Sequence, residues 1–289
     1  MLKTKLAFGS AVLLASTLAA QTPAPAGRPG AGSGAGSPDF EMPRPIDAVD
    51  SVFMEDLTWL EIRDAMRAGK KTAIVATGGI EMNGPYLVLG KHNIILRGVT
   101  EVIARKLGNA LVAPIIAFVP EGTIDPPSGH MRYPGSISLT APTFKALLID
   151  VASSMKAAGF EHVILIGDSG GNQAGMKEVA AELSQKWAGG KTRIHFIPEF
   201  YDYPGVQQWI RSQGIVEKDE GHHDEYSITS MMMAVDPQSV RLKQRIAKNK
   251  ASINGVSLVP AEKSIAFGKR VFDWRADVTV AAIKKALSQ

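Results

Sequence analysis

The sequence predicts an α/β fold, a three-layer αβα sandwich built on a mostly parallel β-sheet. Two observations lead to this prediction. Short runs that are apolar throughout, such as TAIVAT at 72–77 and HVILIG at 162–167, indicate strands covered on both faces. Segments with helical periodicity lie between such runs, and the order strand, helix, strand, helix is typical of layered α/β domains.

The individual elements follow from the same patterns, read in chain order. Strands are predicted at 72–77, 111–119, 162–167 and 192–200. Helices are predicted at 95–107, 142–159 and 172–187. Thr140 or Ala141 begins the second helix, and Asn172 is a candidate N-cap for the third, because its side-chain oxygen can accept hydrogen bonds from the first free N–H groups.

The N-terminal 40 residues differ in composition from the remainder. Residues 1–20 combine two lysines, a short apolar run and small residues, which is typical of a cleaved signal peptide. Residues 21–40 are rich in Pro, Gly, Ala and Ser and predict a flexible linker. A single α/β domain is expected at 41–289. The signal predicts a secreted or periplasmic protein, and the absence of cysteine means that its stability there owes nothing to disulfides.

The charge balance and hydropathy exclude some classes of partner. The formal net charge is +4, and it falls to +2 when Lys3 and Lys5 leave with the signal. Such a small excess argues against a nucleic-acid surface. No other apolar run approaches the length of a transmembrane helix, so no stable membrane insertion is expected after signal cleavage. A small-molecule substrate is the expected partner.

Two polar loops follow predicted strands: GGIEMNGPYLVLGKHN at 78–93 and GDSGGN at 167–172. Ligands of α/β sheets bind beyond the carboxyl ends of the strands, so both loops are candidate site loops. GDSGG also occurs around the nucleophile of trypsin-like proteases, but those are all-β proteins, and this chain predicts α/β. The nucleophile elbow Gly-x-Ser-x-Gly remains a rival interpretation, with Ser169 as nucleophile and Asp202 and a later histidine as partners.

Four segments together resemble the creatininase family, whose metal-dependent amidohydrolases share an α/β fold akin to formiminoglutamases. The segments are GGIEMNGPYLVLGKHN, SGHMRYPGSISL, IGDSGGN and GHHDEYSITSMMM, and they lie in the family's order between about 70 and 235. Glu81 matches the family's first glutamate ligand. Asn83 stands at a histidine ligand, His92 at a bridging aspartate and Ser169 at a second histidine. We therefore expect an altered metal site, with one histidine moved from position 83 to position 92.

The resemblance and the residue chemistry together give the candidate site. The metal ligands are predicted to be Glu81, His92, Asp168 and Glu225, which supply nitrogen and oxygen donors suited to a divalent ion, zinc or manganese. His222 or His223 is predicted to act as the catalytic proton shuttle, since histidine titrates near neutral pH. The predicted substrate-binding residues are Asn83, His130, Tyr133, Ser169 and Asn172.

The predicted function is hydrolysis of a C–N bond in a small cyclic or linear amide by water that a metal activates. The resemblance also implies a homo-oligomer, since family members assemble into hexamers. Two alternatives remain open at this stage. One is a serine hydrolase that uses Ser169, and the other is a non-catalytic binding protein that kept the fold and lost its metals.

Overall fold

The computed structural model of the protein describes residues 39–288. The chain divides into two compact units, Met1–Pro43 and Arg44–Gln289, and the described part of the first is a short turn. The predicted signal peptide at 1–20 lies outside the described residues, as does nearly all of the predicted linker at 21–40.

The second unit is built on a parallel four-stranded sheet in the order β2-β1-β3-β4. Thr72 in the first strand lies opposite Ala110 on one side and His162 on the other. The strands are β1 (Thr72–Thr77), β2 (Ala110–Val112), β3 (His162–Gly167) and β4 (Arg193–Phe196). A separate antiparallel ribbon consists of β5 (Ser252–Ile253) and β6 (Val256–Ser257).

Helices cover both faces of the sheet. They are α1 (Trp59–Arg67), α2 (Lys91–Leu107), α3 (Ala141–Ala158), α4 (Gly170–Lys186), α5 (Tyr203–Ser212), α6 (Tyr226–Val235), α7 (Leu242–Ala247) and α8 (Ala261–Leu287). Short 3-10 helices lie at Met54–Asp56, Gly129–Arg132, Pro198–Tyr201 and Pro237–Val240. Within residues 39–288, none of these helices combines the length and the apolar character needed to cross a membrane.

Alternate residues of the central strands enter two separate hydrophobic cores. Ile74 and Ile164 pack with α2, α6 and α8 on one face. Val75 and Leu165 pack with α3 and α4 on the other, where Phe144 is fully buried. Because both faces are covered, every position of β1 is apolar or fully buried, which explains the unbroken run TAIVAT. The predicted three-layer α/β fold is confirmed.

Two predicted strands are shorter than expected. The strand predicted at 111–119 is only Ala110–Val112, because Pro114 has no N–H to donate to the ladder. Beyond it, the chain makes only isolated bridges, at Ile116 and at Val119. The strand predicted at 192–200 ends at Phe196, and Pro198 begins a 3-10 helix.

The starts of two helices also differ from the prediction. Helix α2 begins at Lys91 instead of 95, so that His92 lies in its first turn. The N-cap of α4 is Ser169, and Asn172 lies inside the helix. The amide of Asn172 donates to the backbone carbonyls of Thr77 and Gly78, which ties the start of α4 to the end of β1. That long-range bond is why the N-cap prediction for Asn172 is wrong.

Two histidines lie side by side on the adjacent strands β3 and β4, with Nδ1 of His162 3.4 Å from Nε2 of His195. Burial, with smaller contributions from His162 and Arg193, lowers the pKa of His195 to about 4. An unfolded histidine titrates near pH 6.5, so the unfolded chain binds more protons between about pH 6.5 and pH 4. The contribution of His195 to the free energy of unfolding is therefore full above this window and falls as the pH falls through it.

We predict that His195→Gln weakens the acid sensitivity of the fold. Between pH 7.5 and pH 5, the Tm of the variant should fall less than that of the wild type, by on the order of 2–4 °C, because a half-buried histidine no longer has to be protonated. Thermal unfolding at both pH values measures this difference. Equal decreases in the two proteins would show that His195 does not contribute to the pH dependence.

Candidate metal centre

Three predicted site residues come together at the carboxyl edge of the sheet. Asp168 follows β3 directly, Glu81 lies four residues after β1, and His92 is in the first turn of α2. Parallel strands end at the same edge, so residues distant in the sequence meet there. All three side chains are buried, with 8% or less of each residue exposed.

His92 links the two carboxylates through both ring nitrogens. Its Nδ1 lies 2.8 Å from Oδ2 of Asp168, and its Nε2 lies 2.7 Å from Oε1 of Glu81. Each ring nitrogen of His92 is thus within hydrogen-bonding distance of a different carboxylate. The predicted ligand His92 is thus held by Asp168 and Glu81 at hydrogen-bonding distance.

Asp168 is also paired with Arg275 from the C-terminal helix α8. Nη2 of Arg275 lies 2.7 Å from Oδ1 of Asp168 and also donates to the carbonyl of Phe200. Burial opposes ionisation of Asp168, but Arg275 and His92 outweigh it and lower the pKa of Asp168 to about 2. Both carboxylate oxygens of Asp168 are therefore occupied by protein donors. Arg275 was not among the predicted site residues, since nothing in its local sequence marks it.

Glu81 is the centre of the site. Its Oε1 lies 3.1 Å from Nζ of Lys91 as well as 2.7 Å from His92, and its Oε2 lies 3.2 Å from Nε2 of His130. Burial raises the pKa of Glu81, but the hydrogen bond from His92 and the charge of Lys91 reverse the effect. The pKa of Glu81 therefore lies well below its ordinary value, and the carboxylate is ionised.

Glu81, His130 and His223 form a group that could hold a metal ion, with one ligand atom from each, all within 4.8 Å of one another. The rings of His130 and His223 are 4.6 Å apart. Partial burial, followed by the charge of Lys91, lowers the pKa of His223, so its ring is neutral at pH 7, the form that binds metals. When Nδ1 donates to the Met82 carbonyl, at 3.0 Å, Nε2 keeps its lone pair.

The donor set fits a divalent transition metal. Two imidazoles and one carboxylate with further positions open make up a known type of catalytic zinc site. The backbone at His223 has a positive φ of 54°, a conformation uncommon outside glycine. Between the two candidate histidines of the His222-His223 pair, the structure turns His223 towards Glu81. The choice between His222 and His223 depends on the conformation of this loop, so the sequence alone could not make it.

Glu121 is a second buried carboxylate at the site, and the sequence reasoning missed it. Burial and the adjacent Glu81 raise the pKa of Glu121 to about 9, so this carboxyl holds a proton at neutral pH. Position 79 is glycine, and a Cβ there would lie 2.1 Å from Oε1 of Glu121, so a larger residue would displace the carboxyl from its present position. The sequence did contain an indication that Glu121 lies at the site, since it follows the predicted strand 111–119 just as Glu81 follows β1.

The two asparagines predicted to bind substrate have structural contacts instead. Asn83 is fully buried and donates to the backbone carbonyl of Glu81 at 2.8 Å, which fixes the site loop. Asn172 is fully buried and bonds to the end of β1. Tyr133 is 47% exposed and lines none of the cavities described for the site. The structure therefore does not bring Asn83, Asn172 or Tyr133 to the candidate ligand group.

The predicted ligand Glu225 faces the site from another side. It accepts hydrogen bonds from Tyr203 and from Nε2 of Gln207, the latter at 2.6 Å. Burial raises the pKa of Glu225. It borders a cavity together with Lys91 and His223, but it is not one of the three grouped ligands. His222, the other predicted proton shuttle, is outside that group too.

Ser169 borders the site, but its geometry does not match a nucleophile elbow. Its backbone is extended, with φ −127° and ψ 146°, whereas an elbow serine lies in a strained turn. No hydrogen bond among the described residues joins its hydroxyl to an imidazole. Asp202, its proposed acid partner, caps α5 by accepting from the N–H of Gly205.

Three cavities border the ligand group. One, of about 410 Å³, is lined by Glu81, Glu121, His130, Ser169 and His223, among others. A second, of about 110 Å³, is bordered on its polar side by Lys91 and Glu225 and on its apolar side by Ile95 and Phe200. A third, of about 490 Å³, lies beside His223 and Glu225. A small molecule in the first cavity would touch the carboxylates and histidines directly.

A parallel α/β sandwich with a Glu/His/His group at its strand ends offers a position where a divalent metal ion could bind. Comparison with known proteins gives the family. The Creatininase family, described as creatinine amidohydrolase, matches residues 55–283. The chain belongs to the creatininase family.

Individual relatives agree with this assignment. A creatinine amidohydrolase from Pseudomonas putida is 23% identical over 219 residues, which cover 73% of this chain and 82% of the relative. A crystal structure of creatinine amidohydrolase superposes with a TM-score of 0.56 at 21% identity, covering 83% of this chain and 98% of the other. A creatininase structure described as the Mn form gives a TM-score of 0.55 at 21% identity, covering 82% and 97%. At these identities, the solved structures establish the fold.

We predict that Arg275→Met destabilises the protein by about 3–5 kcal/mol, because it leaves the buried Asp168 carboxylate without one of its two charged partners. Urea unfolding measures the loss. Arg105→Met is the control, since Arg105 pairs with Glu101 on an exposed helix face and its loss should cost less than about 1 kcal/mol. Equal losses in the two variants would contradict a structural role for the Arg275–Asp168 pair.

Proposed function

We propose that the protein is a metal-dependent hydrolase that cleaves a C–N bond in a small cyclic or linear amide. A single divalent ion would be held by Glu81, His130 and His223. The observation that carries the proposal is the convergence of these three ligand atoms within 4.8 Å of one another, at the strand edge where α/β enzymes bind substrates. Membership of the creatininase family supports the reaction class.

This ligand set differs from the one that the sequence predicts. Glu81 is in both sets, but His130 and His223 take the places expected for His92, Asp168 and Glu225. His92 and Asp168 instead form the layer behind Glu81, where they fix the orientation of its carboxylate. Partners of this kind commonly change metal affinity by roughly 10–100-fold when they are mutated.

A divalent ion at this position would supply a Lewis acid and a water of lowered pKa. The protein groups would provide orientation and proton transfer. The raised pKa of Glu121 leaves it protonated at neutral pH, so it could donate that proton to the leaving nitrogen. Lys91 and the first N–H groups of α4 present positive charge to a developing oxyanion.

Zinc and manganese are the metals that we propose. Histidine nitrogens and a carboxylate oxygen suit both ions. Among related structures, one creatininase is described as the Mn form and a mutant creatininase as the Zn-Zn type. We further propose that the chain is exported by its N-terminal signal and assembles as a homo-oligomer, a hexamer by family resemblance.

Two rival functions remain to be separated by experiment. A serine hydrolase would depend on Ser169, although its extended backbone does not favour this role. A binding protein without catalysis would keep the cavity and bind no metal. Labelling by a fluorophosphonate probe distinguishes the first rival, and metal content distinguishes the second.

We predict about one divalent ion per chain, measured by elemental analysis after purification without chelators. Glu81→Gln and His223→Asn should lose it, because each removes one of three ligands. His92→Ala should weaken binding by roughly 10–100-fold, because it removes a group that orients Glu81. His222→Asn is the matched control for His223→Asn and should retain the ion, since His222 is outside the ligand group.

Three other results would contradict the proposed function or the assignment of its ligands. Metal-free wild-type protein that gains no thermal stability from added zinc or manganese would contradict the proposed function. Fluorophosphonate labelling that disappears in Ser169→Ala would favour the serine hydrolase. Retention of the metal in His223→Asn together with its loss in His222→Asn would reverse the assignment of the two histidines. With metal binding established, a screen of small amides would identify the substrate.

A further inference from the structure

Lys91 is a buried lysine that the proposed mechanism does not require as a metal ligand. It is 2% exposed, and its Nζ lies 3.1 Å from Oε1 of Glu81, whose side chain is equally buried. Lysine is almost never fully buried unless it is paired, because removing an ammonium from water is costly. The burial of Lys91 therefore needs a specific electrostatic reason.

The position of Lys91 in helix α2 does not explain why its ammonium is buried. Lys91 is the first residue of α2, where the partial positive charge of the helix N-terminus favours acidic side chains and disfavours lysine. The acids around it do supply a reason. Glu81 pairs with the ammonium directly, and Glu225 lines the same cavity as Lys91. One ammonium thus lies beside two acidic side chains, one of which is a candidate metal ligand.

The contacts of Glu81 limit how many ions its carboxylate can bind. Oε1 already faces two protein nitrogens, Nζ of Lys91 at 3.1 Å and Nε2 of His92 at 2.7 Å. Oε2 faces Nε2 of His130 at 3.2 Å, and His130 is itself a candidate metal ligand. With one oxygen occupied by the protein, Glu81 can offer only the other to a metal and cannot bridge two ions.

We propose that the Lys91 ammonium is a permanent cation that takes the place of a second metal ion, so that this centre binds one divalent ion and not two. This inference rests on the single-ion site of the proposed function and names the residue that sets its stoichiometry. Lys91 Nζ repels a further cation at Oε1 and balances the nearby acids. Removing its charge should open a second cation site formed by Glu81 and Glu121.

The test is the metal stoichiometry of three proteins, each stripped of metal and then titrated with zinc and, separately, with manganese by calorimetry. The wild type should bind one ion per chain, and Lys91→Arg, which keeps the charge, should also bind one. Lys91→Met, which keeps the length of the side chain without its charge, should bind two. Lys145→Met is the matched control, because Lys145 is exposed and pairs with Glu178 away from the site.

Each outcome decides the inference. Two ions in the wild type would overturn it regardless of how the variants fold. One ion in both the wild type and folded Lys91→Met would also overturn it, while leaving the proposed function intact. Should Lys91→Met fail to fold, Lys91→Gln, which is neutral but can still donate a hydrogen bond to Glu81, serves in the same titration; binding of only one ion by this variant would overturn the inference.

Failure of the proposed function has a different signature. Wild-type protein that binds no ion at all contradicts the single-ion hydrolase. If Lys91→Met then gains an ion, Lys91 excludes metal from the centre altogether, which overturns the one-ion stoichiometry inferred here together with the proposed function. If neither protein binds an ion, both are overturned. Ion counts, circular dichroism and Tm are sufficient to separate these cases, and none requires a known substrate.

Discussion

The buried carboxylate of Glu81 is the constraint on which the rest of the site depends. It is ionised although only 2% of the residue is exposed, so the fold must surround it with cations and hydrogen-bond donors. Lys91 and His92 come from the start of α2, and His130 from the long loop after β2. A single charge thus fixes the relative positions of two segments that are distant in the sequence.

The same electrostatic network reaches the C-terminal helix. Glu81, His92, Asp168 and Arg275 form a continuous chain of charged contacts, each between 2.7 and 2.8 Å long. This chain joins the loop after β1 to α2, to the end of β3 and to α8. Because buried charges tolerate little displacement, the network holds the site in one geometry before any ligand binds.

This network explains the residues at positions 83 and 92, where the creatininase family is expected to have metal ligands. Asn83 holds the site loop, and His92 links two carboxylates through its two ring nitrogens. An acid in this place would put a third carboxylate between Glu81 and Asp168. The candidate ligand group joins Glu81 to His130 and His223, which the sequence predicts as a substrate-binding residue and a possible proton shuttle.

The sequence by itself determined the layered fold, because strands buried on both faces must be apolar throughout, and it determined which loops carry the site, because parallel strands end at a common edge. Local patterns also identified Glu81 and the His222-His223 pair. Only the tertiary structure decided that His223 faces Glu81, that Lys91 and Arg275 are buried at the site, and that Asn172 braces β1. The contacts that place His223, Arg275 and Asn172 join residues 141, 107 and 95 positions apart in the sequence, a separation that no local pattern records.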